Sequence, residues 1–171
     1  GTFGEDGVLQ EILEAKGVPY TGAGIAASRL AFDKIDSKIR FIEHSVPSPA
    51  YELWDMVSVM PVMGFPCVVK PPREGSSVGV HIVQNAEGMA KAKEDVAKYC
   101  DRALVEQLVI GKELTVGILG DQALPIVHIC PNSGFYDINN KYPWLNNAGG
   151  TDYICPADLP DDVTKSVQDA A

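Results

Sequence analysis

Apolar residues recur at two different spacings along this chain. Up to about residue 44 they repeat with a helical period, and from about Tyr51 onward short apolar runs separated by turn residues suggest alternating strands and helices. Helices are predicted over residues 6–16, 33–44, 85–100 and from Asp161 onward, with a further helix opening at residues 22–27. Strands are predicted over residues 67–70, 80–83, 103–108, 113–119 and 123–129, with a hairpin turn at 120–121. Residues 132–150, rich in Asn, Gly and Tyr, are predicted to form a long loop. The pattern therefore predicts an α/β protein.

A segment rich in glycine and serine follows Lys70. Residues 71–79 read Pro-Pro-Arg-Glu-Gly-Ser-Ser-Val-Gly and lie between two predicted strands, directly after the lysine. Small residues let backbone N–H groups approach anionic oxygens, and a lysine adds a point charge. The lysine precedes the loop, so this is not a Walker A motif. By itself the segment fits a phosphate-binding loop or a solvated hairpin tip equally well.

Composition and charge narrow the possible partners. The 171 residues carry a net charge of −9, which argues against nonspecific nucleic-acid binding. Because no apolar run reaches membrane-spanning length, no membrane partner is expected. The four cysteines are widely spaced and mostly adjoin apolar runs, which predicts buried free thiols and a cytoplasmic location. The histidines are scattered as well, so no metal site is predicted. The chain starts without methionine and stops within a helical run, which suggests an internal fragment.

One glycine pattern offers a competing interpretation. Residues 22–27, Gly-Ala-Gly-Ile-Ala-Ala, match the dinucleotide-binding pattern G-x-G-x-x-A. That site needs a hydrophobic strand before the glycines, whereas the preceding segment is short and contains Pro19. We therefore favour a tight turn into a helix and keep a dinucleotide-binding domain as an alternative.

Eight segments then point to one family. They are Gly4-Glu5-Asp6-Gly7 with Leu9-Gln10; Pro19-Tyr20-Thr21-Gly22; Asp33-Lys34; Gly64-Phe65-Pro66 leading to Lys70 and residues 73–79; Val105-Glu106; residues 111–116; Phe135-Tyr136-Asp137 with Lys141-Tyr142; and Gly149-Gly150-Thr151 with Cys155-Pro156-Ala157. In this order, and over nearly the whole chain, they resemble the D-alanine–D-alanine ligases of the ATP-grasp superfamily.

The resemblance implies an incomplete ATP-grasp fold of α/β class. Residues 1–22 would be a remnant of an N-terminal domain, residues 23–106 the central domain, and residues 107–171 part of the C-terminal domain, with ATP between the last two. It implies an ATP- and Mg²⁺-dependent reaction that joins two D-alanines through an acyl-phosphate intermediate, for peptidoglycan precursor synthesis. The parent enzyme would be a homodimer.

The resemblance also assigns roles to individual residues. Those expected at the nucleotide are Lys34, Lys70 and Lys141 at phosphates; Gly75, Ser76 and Ser77 as the covering loop; Glu106 and Leu108 at the adenine hinge; Glu113 at the ribose; and Tyr136 close by. Ser76, Tyr142 and Glu5 are expected at the D-alanine substrates. The metal ligands, an oxyanion-binding arginine and a glycine-rich segment that completes the substrate site are expected beyond Ala171. The 171 residues alone are therefore predicted to be inactive.

Two alternatives stay open beside this assignment. The parent could be another ATP-grasp ligase, such as a D-alanine–D-lactate type, although the retained Lys141-Tyr142 pair favours an amine as the second substrate. It could also be a noncatalytic nucleotide-binding homologue. The chain departs from the family at residues 138–140, where Ile-Asn-Asn replaces Tyr-Glu-Ala.

Overall fold

The computed structural model of the chain describes residues 1–58, 60–145 and 149–171. It separates into two compact units, residues 1–109 and 110–171. Both units contain helices and strands, and each is built on a sheet of its own.

Three helices open the first unit. They are α1 (Val8–Ala15), α2 (Ile25–Phe32) and α3 (Lys34–Glu43). Asp33 caps α3, because its carboxylate accepts hydrogen bonds from the backbone N–H groups of Ile35 and Asp36 at 2.9 and 3.3 Å. The helices predicted over residues 6–16 and 33–44 are confirmed within one or two residues.

A four-stranded antiparallel sheet forms the centre of the first unit, with strand order β1-β4-β2-β3. The strands are β1 (Tyr51–Trp54), β2 (Cys67–Lys70), β3 (His81–Val83) and β4 (Ala103–Gln107). The predicted strands at 67–70, 80–83 and 103–108 are confirmed. Strand β1 had no clear signal in the sequence, and it forms the sheet edge by pairing with β4.

Helix α4 (Ala86–Val96) covers one face of this sheet. Asn85 caps it, as its side chain accepts a hydrogen bond from Gly88 N–H at 2.9 Å. The helix places Met89, Ala92 and Val96 on the sheet, a spacing typical of one helical face. The buried cluster that they form also contains Trp54, Cys67, Val69, Val83, Ala103 and Val105. Because side chains alternate along a strand, Val68, Lys70, Leu104 and Glu106 belong to the opposite face.

The second unit is built on a three-stranded antiparallel sheet of order β5-β8-β9. Its strands are β5 (Glu113–Thr115), β8 (Val127–Pro131) and β9 (Thr151–Ile154). A separate hairpin pairs β6 (Ile118–Leu119) with β7 (Gln122–Ala123), and α6 (Asp161–Ala170) follows the sheet. The helical run predicted from Asp161 is confirmed.

Three sequence predictions need correction. The two long strands predicted at 113–119 and 123–129 are each divided, although the hairpin turn at Gly120 and Asp121 is confirmed. The predicted loop 132–150 contains α5 (Ile138–Lys141) and a 3-10 helix (Pro143–Leu145), and its residues 146–148 lie outside the described part. The four cysteines are free, but only Cys67 is buried and Cys155 is exposed.

No helix in the described ranges is both long and apolar enough to cross a bilayer.

Candidate nucleotide-binding site

The loop between β2 and β3 adopts a backbone suited to anion binding. Strands β2 and β3 pair antiparallel, so residues 71–80 connect their adjacent ends. Within the loop Ser76 and Ser77 have φ of 52° and 61°, and Gly79 has φ of 67°. The left-handed conformation costs roughly 1 kcal/mol or more for each non-glycine residue. Two consecutive serines held in it suggest a functional backbone geometry rather than an unconstrained hairpin tip.

The first turn of α3 is fastened to this loop. Asp33 accepts a hydrogen bond from Arg73 Nε at 2.7 Å, and the Lys34 backbone N–H donates to the Pro72 carbonyl at 3.0 Å. Burial raises the pKa of the Asp33 carboxyl, but the Arg73 guanidinium and the two capping N–H groups outweigh it, so the net pKa is lowered. The loop and the helix therefore form one connected structure.

Lys34 reaches into the loop through its side chain. Its ammonium donates to the carbonyl oxygens of Glu74, at 2.5 Å, and Pro72, at 3.4 Å. Burial, followed by the positive charge of Lys70, lowers the pKa of Lys34, and the neighbouring carboxylates only partly oppose this. An anion that binds near Lys34 would stabilise its charged form, because the anion replaces the favourable interaction with water that burial removed.

Lys70 stands at the end of β2 beside a buried carboxylate. Its ammonium forms an ion pair with Glu106 Oε2, and Glu106 Oε1 lies 2.6 Å from the Lys38 Nζ. The register pairs Lys70 with Leu104, so Glu106 is its diagonal neighbour on the same face of the sheet. Glu106 thus joins two lysines from different elements.

Glu5 and Leu108 also belong to the first unit. A Cβ built on Gly75 would lie 3.7 Å from Glu5 Oε2, so this carboxylate adjoins the loop. Leu108 lines a shallow depression together with Ala50, Met63, Phe65, Pro66 and Gln107. Polar and apolar groups both line this depression, and a lining with both kinds of group suits a heteroaromatic ring.

The second unit has its own group of predicted site residues. Lys141 Nζ lies 4.8 Å from the ring centroid of Tyr136, a cation–π distance. The Tyr136 hydroxyl is 2.8 Å from that of Tyr153, and this hydrogen bond is the main reason that the pKa of Tyr136 rises to about 12. Burial raises the pKa of Glu113, and the charge of Lys141 opposes the rise. Glu113, Tyr136, Tyr153 and Lys141 therefore form one interacting cluster.

Tyr142 ends α5 in a segment held together by an asparagine. The Tyr142 ring packs edge-to-face on Trp144 with centroids 5.4 Å apart. Asn140, which is 3% exposed, donates from its amide to the Ser133 and Phe135 carbonyls at 2.6 and 2.8 Å. Thr151 donates to the Asn140 carbonyl at 2.8 Å. The family departure at residues 138–140 thus supplies internal hydrogen bonds to this segment.

Within the first unit the structure groups Lys34, Lys70, Glu106, Glu5 and the loop of Gly75, Ser76 and Ser77; within the second it groups Glu113, Tyr136 and Lys141, with Tyr142 next in the chain. Sequence reasoning missed Lys38 and Tyr153. Lys38 follows Lys34 by four residues and so shares its helix face, a signal that could have found it. Tyr153 had no comparable signal, because its partner lies on a different element.

Two other kinds of site receive no support. Helix α2 follows helix α1 rather than a strand, and the paired strands in the described ranges are all antiparallel, whereas a dinucleotide site needs a parallel βαβ unit. The segment at residues 22–27 is therefore the turn that the sequence favoured. Over residues 1–58, 60–145 and 149–171, no three His, Cys, Asp or Glu side chains are grouped so as to hold a metal ion.

The fold and the site together define an ATP-grasp protein, and solved structures share this architecture. The D-alanine–D-alanine ligase from Bacillus anthracis matches with a TM-score of 0.82 and 29% identity, over 99% of this chain and 56% of that one. The VanG D-Ala:D-Ser ligase from Enterococcus faecalis matches with a TM-score of 0.80 and 26% identity, over 98% and 50% of the two chains.

Sequence relatives identify the family. Curated D-alanine–D-alanine ligases from Syntrophotalea carbinolica and Bordetella petrii are 40% and 42% identical over the whole of this chain. Residues 47–171 match the family described as "D-ala D-ala ligase C-terminus". The chain belongs to the D-alanine–D-alanine ligase family. It spans about half the length of the curated relatives it matches, 55% and 54% for these two.

Proposed function

We propose that the complete protein containing this chain is an ATP-dependent ligase that joins two D-alanines for peptidoglycan precursor synthesis. The proposal rests on membership of the family and on one observation in the first unit. Lys34 and Lys70 flank a loop whose consecutive serines have left-handed backbone conformations. Two ammonium groups beside a glycine-serine backbone of this conformation are suited to the phosphates of a nucleotide.

In this proposal the first unit binds the phosphates and the adenine. Lys34 and Lys70 neutralise phosphate charge, and the backbone of Gly75, Ser76 and Ser77 covers the phosphates. Glu106 and Leu108 belong to the adenine end, with the depression beside Leu108 as support. Catalysis is then largely positioning and charge stabilisation, because phosphoryl transfer to a carboxylate asks little else of the protein.

The second unit contributes the remaining proposed contacts. Glu113 accepts hydrogen bonds from ribose hydroxyls, and Tyr136 and Lys141 serve the nucleotide. The Lys141 ammonium already lies near both Glu113 and the Tyr136 ring, which supports one shared binding role. Ser76, Tyr142 and Glu5 orient D-alanine, and the position of Glu5 beside Gly75 agrees with a substrate next to the phosphate loop.

Mg²⁺ is proposed as the cation of the reaction, but the described residues do not fit it. They contain no group of three potential ligands, so we derive no step through the metal. Its ligands are proposed to lie in sequence beyond residue 171, and these 171 residues alone are accordingly predicted to be inactive. The homodimer and the cytoplasmic location also remain predictions.

A coupled assay of phosphate release tests the function. The complete protein is given Mg²⁺, ATP and either D-alanine alone or D-alanine with D-lactate or D-serine, and the products are identified by mass spectrometry. We expect D-alanyl-D-alanine with release of one phosphate per dipeptide. D-serine is included because a neighbour in fold is a D-Ala:D-Ser ligase. A depsipeptide or a D-alanyl-D-serine product would change the assigned second substrate. Nucleotide binding without any product would favour a noncatalytic homologue.

A further inference from the structure

A buried lysine that sequence reasoning did not select stands behind the proposed phosphate site. The Lys38 side chain is only 5% exposed, and its ammonium has three oxygen partners. These are Glu106 Oε1 at 2.6 Å, Ser48 Oγ at 2.6 Å and the Pro49 carbonyl at 3.0 Å. The ammonium also lies 4.9 Å from the centroid of the Tyr51 ring. An ammonium has three N–H donors, so these contacts use all of them.

Lys70 differs from Lys38 in accessibility although both contact the same carboxylate. The Lys70 side chain is 21% exposed, whereas the Glu106 side chain is 10% exposed. Of the two lysines, Lys70 is therefore the one that can meet a ligand. In the described structure its ammonium is paired with Glu106 Oε2. The Lys70 ammonium has three N–H donors, so a phosphate can bind beside Glu106, but the phosphate and the carboxylate then compete for one positive charge.

The cost of that competition depends on Lys38. If Lys70 turned to a phosphate and Lys38 were absent, Glu106 would be left as a buried carboxylate without a cation, which is strongly unfavourable. With Lys38 in place, Glu106 keeps one close cation and two further hydrogen-bonded groups hold that cation still. Lys38 thus lowers the free energy needed to transfer Lys70 from the carboxylate to a phosphate.

We propose that Lys38 is a positioning residue which, through Glu106, makes the Lys70 ammonium available to the phosphates of the nucleotide. This inference rests on the proposed function, because it concerns the same phosphate site. Lys38 itself touches no ligand. Its contribution is expected in the phosphate part of nucleotide affinity and not in the adenosine part.

The ratio of the adenosine and ATP dissociation constants isolates the phosphate part. We would measure both constants by calorimetry on the complete protein, for the wild type and for Lys38→Met, Glu106→Gln and the double variant. Met matches the aliphatic stem of lysine without the charge. In Lys38→Met the ratio is expected to fall about tenfold, equivalent to about 1.4 kcal/mol. Adenosine binding itself is expected to stay within a factor of about two, because no phosphate is involved and the adenine contacts proposed for Glu106 and Leu108 use mainly backbone atoms, whereas Lys38 contacts the Glu106 side chain.

The double variant tests whether Lys38 acts through Glu106 or in some other way. Once the carboxylate is replaced by an amide, Lys70 has no competing anion, so Lys38→Met should add no further loss. The ratio in the double variant is therefore expected to equal that in Glu106→Gln alone. This comparison also keeps the inference testable if Lys38→Met by itself does not fold, because the double variant contains no buried carboxylate without a cation and Lys70, whose side chain is 21% exposed, still reaches solvent.

Lys93→Met is the matched control. Lys93 also places its ammonium over an aromatic ring, that of Trp54 at 5.5 Å, and donates to a carbonyl, that of Ser58 at 3.4 Å. Neither of these interactions involves Glu106. The ratio of the adenosine and ATP dissociation constants in Lys93→Met is therefore expected to match that of the wild type.

Three results would overturn the inference. These are an unchanged ratio in Lys38→Met, an equal loss for adenosine and ATP, and a double variant weaker than Glu106→Gln. If the wild type bound ATP no better than adenosine, the proposed function itself would fail, and this inference with it. A wild type that prefers ATP with Lys38→Met unchanged would remove only the inference.

Discussion

Replacement of Lys70 by methionine tests the central element of the proposed site. The change removes the ammonium at the end of β2 and keeps most of the apolar stem. A hydrogen bond between charged partners contributes roughly 1.5–3 kcal/mol, so loss of one such contact to a phosphate should raise KM for ATP by about 10- to 150-fold. The KM for D-alanine should change far less, since Lys70 is not assigned to that substrate.

The same substitution also affects the stability of the fold, and the structure limits by how much. Lys70 and Glu106 are 21% and 10% exposed, so their ion pair is largely removed from water. Removal of a sole partner from a buried carboxylate costs about 3–5 kcal/mol. Here Lys38 remains 2.6 Å from Glu106, so we expect a smaller loss, about 1–2 kcal/mol, which leaves the protein folded.

The assay compares Lys70→Met with an exposed lysine on α4. Phosphate release is followed in the complete protein at saturating D-alanine while ATP is varied, and urea unfolding gives the stability. Lys91→Met is the control, because Lys91 is 73% exposed and pairs with Glu87 one turn away. A folded Lys70→Met protein with the wild-type KM for ATP would refute the assignment of Lys70 to the phosphates.

Three further substitutions probe the core, the cap and the substrate end. Met89→Ala empties a position that is 1% exposed and should cost about 2–5 kcal/mol in urea unfolding; a loss below about 1 kcal/mol would mean that α4 is not packed as described. Asp33→Ala removes the α3 cap and the pairing with Arg73, which is 71% exposed, so a loss of about 1–2 kcal/mol is expected. Because the folded-state pKa of Asp33 is lowered from 3.8, the charge-dependent part of that loss should be fully present above pH 3.8 and disappear as the pH falls through the lower folded-state pKa; a loss with no pH dependence would contradict the ionised carboxylate as its source. Tyr142→Phe should slow dipeptide formation at subsaturating D-alanine more than it raises the KM for ATP, and equal effects on both would indicate simple packing.

Local signals in the sequence were sufficient for several elements. Asp33 before an apolar helical pattern and Asn85 before the next one both cap helices as their residue types predict. The run from Cys67 to Lys70, the glycine-serine loop and the strand after it also needed no distant information. Strand β1 and the division of the long strands in the second unit were not predictable in this way, because they depend on pairing with residues far along the chain.

The sequence by itself determined the family, because eight segments in the right order resemble it, and it predicted the glycine-serine loop after Lys70 and the helix that begins near Lys34, because these depend on residue type and spacing within short segments. Only the tertiary structure revealed what surrounds them. Glu106 was assigned from the resemblance to an adenine hinge, and the register of β4 against β2 brings its carboxylate to Lys70. The packing of α3 brings Lys38 to the same carboxylate. Buried ion pairs depend on which faces of distant elements meet, and a linear pattern of residues does not contain that information.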